Sequence, residues 1–221
     1  MPDPVTLIIP AFLRWIHVLF GIIWIGHLYF FNFVNANFEK GLDASLKKPV
    51  IPQLRPRALW WFRWGAMITM LSGVTYIIWE QFVASKLGFA GWFDNAKDIW
   101  ITYGGLLGLI MWFNVWFIIW PNQKIILAGI STGNKPADFD ARVATAGKFS
   151  RINTYLSVPM LFGMIARSHF PVGVDKWLWI SMAASLVVGL ATAYHFIWMV
   201  GPKVGKEFII AAPAPPPAPP K

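Results

Sequence analysis

The sequence predicts an all-α integral membrane protein, and three observations support that prediction. Of the 221 residues, 57% are hydrophobic and 13% are charged, and the mean hydropathy is +0.53; in a soluble globular chain about a quarter of the residues are charged. Five apolar stretches are each long enough to cross a bilayer as a helix, which takes about 20 residues. The chain contains no cysteine, which excludes disulfides, thiolate metal sites, iron–sulfur clusters and covalently attached c-type haem.

The five predicted spans form one membrane domain over residues 1–210. They cover residues 11–36, 59–80, 99–120, 150–169 and 176–200. Pro121, Pro171 and Pro202 follow spans three, four and five, where a proline is expected to end the helix. Residues 211–221 are rich in proline and alanine and are expected to form a disordered, extended tail.

The basic residues are distributed unequally between the two sides of these spans. The loops before spans two and four hold most of them, whereas the opposite side carries only Arg14, Lys86, Lys97, Arg167 and Lys176. The positive-inside rule therefore predicts an N-terminus outside and a C-terminus in the cytoplasm. The formal net charge of +9 then belongs to a cytoplasmic face beside anionic lipid headgroups, and we exclude nucleic-acid binding.

Four histidines lie in or beside the predicted spans, where an ionisable side chain is costly and is a functional candidate. His27 and His195 lie about nine and five residues before the inner ends of spans one and five, a difference in depth of about 6 Å. Two imidazoles from different helices at similar depth are what a bis-histidine haem b requires. His27 and His195 are therefore the candidate iron ligands, and His17 with His169 forms a looser second pair.

Other roles for these residues stay open. One histidine could serve alone as a proximal haem ligand, or each could hydrogen-bond between helices as structural polar groups do. Arg14 lies three residues before His17 on the same helix face and could hold a haem propionate or an acidic substrate. It could equally extend to lipid phosphate. Zinc and copper are disfavoured because no carboxylate or sulfur ligand accompanies the histidines at close spacing.

A second candidate site lies at the inner mouth of the predicted bundle. Asn122, Gln123 and Lys124 follow Pro121, and Asn153 enters span four at the same level. These amides and this ammonium group could bind a small anion, or they could simply cap a helix end at a solvated interface. The sequence contains no Ser-His-Asp order, P-loop, GxGxxG or HExxH motif.

Several segments of the chain are similar to a known family. They are Arg14-Trp15-Ile16-His17, Leu59-Trp60-Trp61-Phe62-Arg63-Trp64, Asn114-Val115-Trp116-Phe117, Pro121-Asn122-Gln123-Lys124, Asn153-Thr154-Tyr155-Leu156-Ser157-Val158-Pro159 and His169-Phe170-Pro171. Together they resemble the membrane domain of the bacterial membrane-bound urate hydroxylases, the urate oxidase N-terminal family. The resemblance implies a redox protein of the bacterial inner membrane that works with a cytochrome c.

The chain also departs from that family. It is shorter, lacks a histidine-containing insertion after the first span, and stops at the proline-rich tail where the family continues into a cytochrome c domain. Ile152 stands where the family pattern has a histidine before the Asn-Asn-Tyr segment. A retained scaffold with changed substrate-side residues indicates a changed role.

Three functions follow from these observations. The leading hypothesis is a non-catalytic membrane subunit of a respiratory or other redox complex, in which a haem b between His27 and His195 could relay electrons. The first alternative is a urate-type oxidoreductase that passes electrons to a separate cytochrome c and binds its substrate through Asn122, Gln123, Lys124 and Asn153. The second is a structural subunit without a cofactor, packed against other membrane subunits.

Overall fold

Five long helices make up most of residues 4–86 and 88–205, the part of the chain that the computed structural model describes. We number them α1 (Pro4–Gly41), α2 (Ala44–Ala84), α3 (Ala96–Thr132), α4 (Phe139–His169) and α5 (Lys176–Val200). A short 3₁₀ turn, Trp92–Asp94, precedes α3. No strand occurs in the described ranges, so the predicted all-α fold is confirmed. The predicted tail, residues 211–221, lies outside the described residues.

Four of these helices are long and apolar enough to cross a membrane: α1, α2, α3 and α5. Large apolar side chains cover their outer surface, and Ile22 on α1 and Val187 on α5 are 67% and 65% exposed. A surface of this kind is stable only in contact with lipid or another apolar partner. The chain is therefore a multi-pass membrane protein whose helices contact lipid.

The remaining helix, α4, lies at the centre of the bundle and packs against α1, α3 and α5. It carries polar side chains on its buried face: Asn153, Thr154 and Ser157 are all fully buried. The main core of the bundle joins Trp24 and Leu28 of α1 with residues of the next three helices, which are Leu59, Phe62, Ala66, Met111, Val115, Ile119 and Met160. These polar side chains can be buried because they form hydrogen bonds with their neighbours inside the bundle.

Glycines bring the helix backbones close together at the main contacts. A Cβ on Gly104 of α3 would lie 3.0 Å from the backbone nitrogen of Met164 in α4, and one on Gly65 of α2 would lie 3.0 Å from the backbone nitrogen of Trp24 in α1. Small residues permit such approaches between membrane helices. The helix pairs α1–α2 and α3–α4 are consequently in close backbone contact.

Four helices, α1 to α4, are longer than the apolar runs that predicted them, and the helix end predicted at Pro121 is wrong. Pro121 was expected to end span three, but α3 continues through it to Thr132. The turn Asn114–Ile119 just before Pro121 is a π turn, in which the Trp120 N–H bonds to the carbonyl of Val115. The widened turn changes the hydrogen-bond register ahead of the proline, so its missing N–H need not end the helix.

Candidate functional site

The structure seats His27 and His195 against different neighbours. The Nδ1 atom of His27 lies 2.7 Å from the carbonyl oxygen of Ile23 in its own helix, and the half-buried ring lines a groove between α1 and α2. His195 is exposed on α5. The ends of α1 and α5 meet at Phe33 and Phe196, whose ring centroids are 5.8 Å apart. Phe33 lies six residues, or about 9 Å along the helix, beyond His27, so the structure does not bring the two imidazoles together.

His17 joins two helices through hydrogen bonding. Its Nδ1 atom lies 2.9 Å from the carbonyl oxygen of Thr69, and a Cβ on Gly73 would lie only 2.8 Å from its Cε1 atom. The ring thus fits closely between α1 and α2, as polar groups that link membrane helices do. His169 is exposed at the end of α4, whereas the Nδ1 atom of His17 is engaged with Thr69 of α2.

Arg14, the remaining sequence candidate near His17, belongs to an ion network with a surplus of positive charge. Its guanidinium donates to the Tyr76 hydroxyl at 2.5 Å and to the Glu80 carboxylate at 3.3 Å. Arg167 of α4 donates to the other oxygen of Glu80 at 3.5 Å and lies 5.3 Å from the centroid of the Tyr76 ring. One carboxylate therefore serves two guanidinium groups, and Arg167 keeps donors that the network does not use.

Beside this network lies a cavity of about 240 Å³, which we call the α3–α4 pocket. The start of α3, the end of α4 and the loop after it form its walls, and its lining includes Lys97, Trp100, Arg167, Ser168, His169 and Phe170. Its lining, among the residues that the structure describes, contains no carboxylate. The pocket therefore combines cationic side chains with aromatic surface.

The aromatic wall of the pocket is closely packed around Trp100. Trp100 is completely buried, and its ring makes edge contacts with Phe162 and Phe170 at centroid distances of 5.5 and 5.7 Å. Its Nε1 atom has no hydrogen-bond partner among the described residues. A buried indole N–H normally finds an acceptor. The arrangement suits a small, flat, anionic molecule with several acceptor atoms.

The amides at the other end of the bundle are occupied by contacts within the protein. Asn153 accepts a hydrogen bond from the Asn114 amide at 2.8 Å and donates to the Met111 carbonyl at 2.9 Å, and it is fully buried. Asn122 donates to the Ile118 carbonyl at 2.8 Å. Asn153 is therefore placed in the bundle core, away from any solvated mouth.

Gln123 and Lys124 also have partners in the structure. The Gln123 side-chain oxygen lies 3.4 Å from the guanidinium of Arg55, which in turn pairs with Glu39. The Lys124 ammonium lies 5.8 Å from the centroid of the Trp120 ring. The structure thus distributes the four residues of this sequence-predicted site over separate contacts.

In the sequence Lys97 and Arg167 are isolated charges, and no pattern connects them with Trp100. These residues lie about 70 positions apart in the chain and meet only because α3 and α4 pack closely along Gly104 and Gly163. The available signal was an Arg-x-His sequence in the last turn of span four, directly before Phe170-Pro171.

The fold and this pocket define the chain as a multi-pass helical membrane protein with a cationic, aromatic cavity between two helices. The sequence model of a family described as urate oxidase N-terminal matches residues 79–214, more than half of the chain. The chain belongs to the urate oxidase N-terminal family. No curated protein and no solved structure matches it. The matched segment contains α3, α4, α5 and the whole α3–α4 pocket.

Proposed function

We propose that this chain is the membrane component of a redox system of the urate hydroxylase class and that it binds a small planar anion in the α3–α4 pocket. The observation that carries the proposal is the pocket itself, which joins two cations with the aromatic residues Trp100 and Phe170 within the family-matched segment. The family description supplies the class of ligand, an oxidisable purine such as urate.

The chemistry of the pocket matches that of urate. Urate is a flat, bicyclic anion at neutral pH, with carbonyl oxygens around its rim. The Arg167 guanidinium can donate to two such oxygens at once, and the rings of Trp100 and Phe170 offer apolar surface to the flat rings. Glu80 and Tyr76 hold Arg167 from the opposite side, which reduces the cost of ordering its side chain on binding.

The direct test is calorimetric binding of urate to the purified full chain in nanodiscs. Arg167→Gln and Lys97→Gln should each weaken binding by about tenfold or more, because charge-assisted hydrogen bonds contribute about 1.5–3 kcal/mol. Lys176→Gln is the matched control, since the Lys176 ammonium lies over the Trp177 ring at 5.6 Å and does not line the pocket. Unchanged binding in Arg167→Gln would place the ligand elsewhere, and loss in Gln123→Ala would favour the inner amides.

Two forms of the redox role are distinguished by one further measurement. If the chain is an enzyme, the purified protein reduces added cytochrome c when urate is supplied. If it is a non-catalytic subunit, urate binds without reduction until other subunits are present. We favour the subunit, because Ile152 stands where the family pattern has a histidine, a departure that indicates a changed role.

The sequence predicted a haem b held by His27 and His195, and the positions of these two side chains can be compared with what such a haem needs. His27 keeps a free Nε2 atom that could ligate iron, but His195 is exposed and about two helical turns of α1 separate His27 from the contact between α1 and α5. The described side chains therefore do not fit a haem clamped between this pair, and we derive no step through one. A b-type spectrum of the purified chain that disappears in His27→Ala would support single-histidine ligation.

We also propose five membrane crossings with the N-terminus outside. The helix α4 runs antiparallel to α3 along its length, with contacts between Gly104 and Gly163 near one end and between Asn114 and Asn153 further along. A helix that accompanies a spanning helix in this way crosses the same bilayer. Because the chain has no cysteine, single cysteines at Ser131 and Asn95 can be labelled from one side of sealed vesicles. We expect labelling at Asn95 from outside and at Ser131 only after permeabilisation.

A further inference from the structure

A second cavity lies outside the family-matched segment, between α1 and α2. This groove has a volume of about 490 Å³ and opens toward the surroundings of the bundle. Its lining is apolar except for His27 and Arg57, and it includes the aromatic rings of Phe30 and Trp61. Its α1 residues lie inside the apolar run predicted to cross the membrane, whereas Leu54 and Arg57 of α2 precede the predicted span at 59–80. The groove therefore opens near the edge of the bilayer, where hydrocarbon and headgroups meet. We call it the His27 groove.

The hydrogen bond of His27 fixes which ring nitrogen carries the proton. Its Nδ1 atom lies 2.7 Å from the Ile23 carbonyl oxygen, and a carbonyl can only accept. Nδ1 is therefore the donor, and in the neutral imidazole Nε2 is an acceptor. Nε2 has no hydrogen-bond partner among the described residues. An acceptor without a donor is costly in apolar surroundings.

Arg57 supplies the opposite kind of group. Its guanidinium donates to the Gln53 carbonyl of its own helix and has no carboxylate partner among the described residues. A guanidinium carries five N–H donors, so several remain for a ligand. The groove consequently presents one acceptor and one set of donors beside flat aromatic surface.

We propose that the His27 groove binds a lipid-soluble quinol. One phenolic hydroxyl of the quinol donates to Nε2 of His27, another ring oxygen accepts from Arg57, and the hydrocarbon tail extends into the bilayer. Phosphatidylcholine satisfies Arg57 through its phosphate but carries no N–H or O–H donor for His27, and a phospholipid with a donor in its headgroup is one of the competitors tested below. The proposal concerns binding and is independent of the α3–α4 pocket, because the two cavities share no residue.

The test compares a quinol with its quinone, since only the quinol has a hydroxyl to donate. The full chain in phosphatidylcholine nanodiscs is labelled with a photoreactive azidoquinone, and decyl-ubiquinol or decyl-ubiquinone competes for the site. We expect the quinol to compete about three- to tenfold more strongly, the range that one net hydrogen bond provides. In His27→Leu this preference should disappear, and labelled peptides of the wild type should contain Phe30 or Trp61.

Glycine variants provide a steric test that does not depend on His27. A Cβ at Gly26, in the groove, meets no heavy atom within 4 Å, so Gly26→Phe can fill the groove without disturbing the helix contact. Gly105→Phe is the matched control, because Gly105 is equally unobstructed but lies on α3. We expect loss of specific labelling in Gly26→Phe and wild-type labelling in Gly105→Phe, with both variants retaining the near-ultraviolet circular dichroism of the folded chain.

Three results would overturn the proposal. Equal competition by quinol and quinone in the wild type would remove the role of the His27 acceptor. Wild-type labelling in Gly26→Phe would place the probe outside the groove. Displacement of the probe by phosphatidylglycerol, without a preference for the quinol, would assign the groove to an annular lipid.

Discussion

The buried pair Asn114 and Asn153 gives the sharpest test of how this bundle is held together. Asn153→Ala removes two hydrogen bonds, one from the Asn114 amide at 2.8 Å and one to the Met111 carbonyl at 2.9 Å. Hydrogen bonds between membrane helices contribute about 0.6–2 kcal/mol each, so the free energy of unfolding should fall by about 1–4 kcal/mol. Asn114→Ala removes only the shared bond and should cost about 0.6–2 kcal/mol.

A double-mutant cycle on these two residues isolates the shared bond. The Met111 carbonyl keeps a backbone donor, the Asn114 N–H, when Asn153 is truncated, whereas the Asn114 amide is left without an acceptor. The coupling energy should therefore be close to the cost of Asn114→Ala, about 0.6–2 kcal/mol. The assay is reversible unfolding in mixed micelles followed by near-ultraviolet circular dichroism, with the exposed Asn134→Ala as the control. Strictly additive single variants, or an Asn153→Ala protein of full stability that no longer binds urate, would refute the structural role.

Two other predictions concern helix contacts and a helix start. Gly189→Ala should destabilise the chain by about 1–3 kcal/mol, the usual cost of overpacking, because its Cβ would lie 2.6 Å from Cδ of Pro159; Gly105→Ala, with open space around its Cβ, should be neutral or stabilising in the same unfolding assay. The hydrogen bond from Arg142 holds the pKa of Asp138 below its usual range. The ionised Asp138 carboxylate therefore stabilises the folded protein at a pH above the pKa that Asp138 has in the unfolded chain, and this stabilisation is lost as the pH falls through its lower pKa in the folded protein. Unfolding between pH 2 and pH 6 should therefore show a weaker pH dependence in Asp138→Asn, and equal slopes in the two proteins would contradict this interpretation.

The existence of the helices could be predicted from the sequence, but most of their ends could not. Apolar runs mark the part of a helix that meets lipid, and the span predicted at 176–200 coincides with α5, Lys176–Val200. The helix α2 begins instead at Ala44, fifteen positions before its predicted span, where Asp43 accepts a hydrogen bond from the backbone N–H of Ser45. Its first turns contain Pro49, Pro52 and Pro56 and lack an apolar pattern, so hydropathy alone did not include them.

The helix α4 illustrates a different limit of hydropathy. Its polar residues Asn153, Thr154 and Ser157 are spaced so that they share one face, and that face is buried against the other helices. A hydropathy average counts these residues as if they faced lipid, and α4 consequently falls below the level that α1, α2, α3 and α5 reach. In the centre of a bundle the same polarity supplies hydrogen bonds such as the one between Tyr29 and Ser157 at 3.0 Å.

The candidate sites were less predictable than the helices. A sequence indicates how deep a residue lies in a membrane, but it does not show which neighbouring helix its side chain faces. His27 and His195 have similar predicted depths, yet one ring lines the groove between α1 and α2 and the other is exposed on α5. Lys97 and Arg167 had no reason to be paired until the close approach of α3 and α4 brought their ends together. The direction of a side chain in a bundle depends on which helices are neighbours, and that choice depends on small residues such as Gly104 and Gly65. Ligand sites in such a protein therefore follow from the helix contacts. A larger side chain at Gly104 should alter binding in the α3–α4 pocket, and one at Gly65 should alter binding in the His27 groove, each through packing alone.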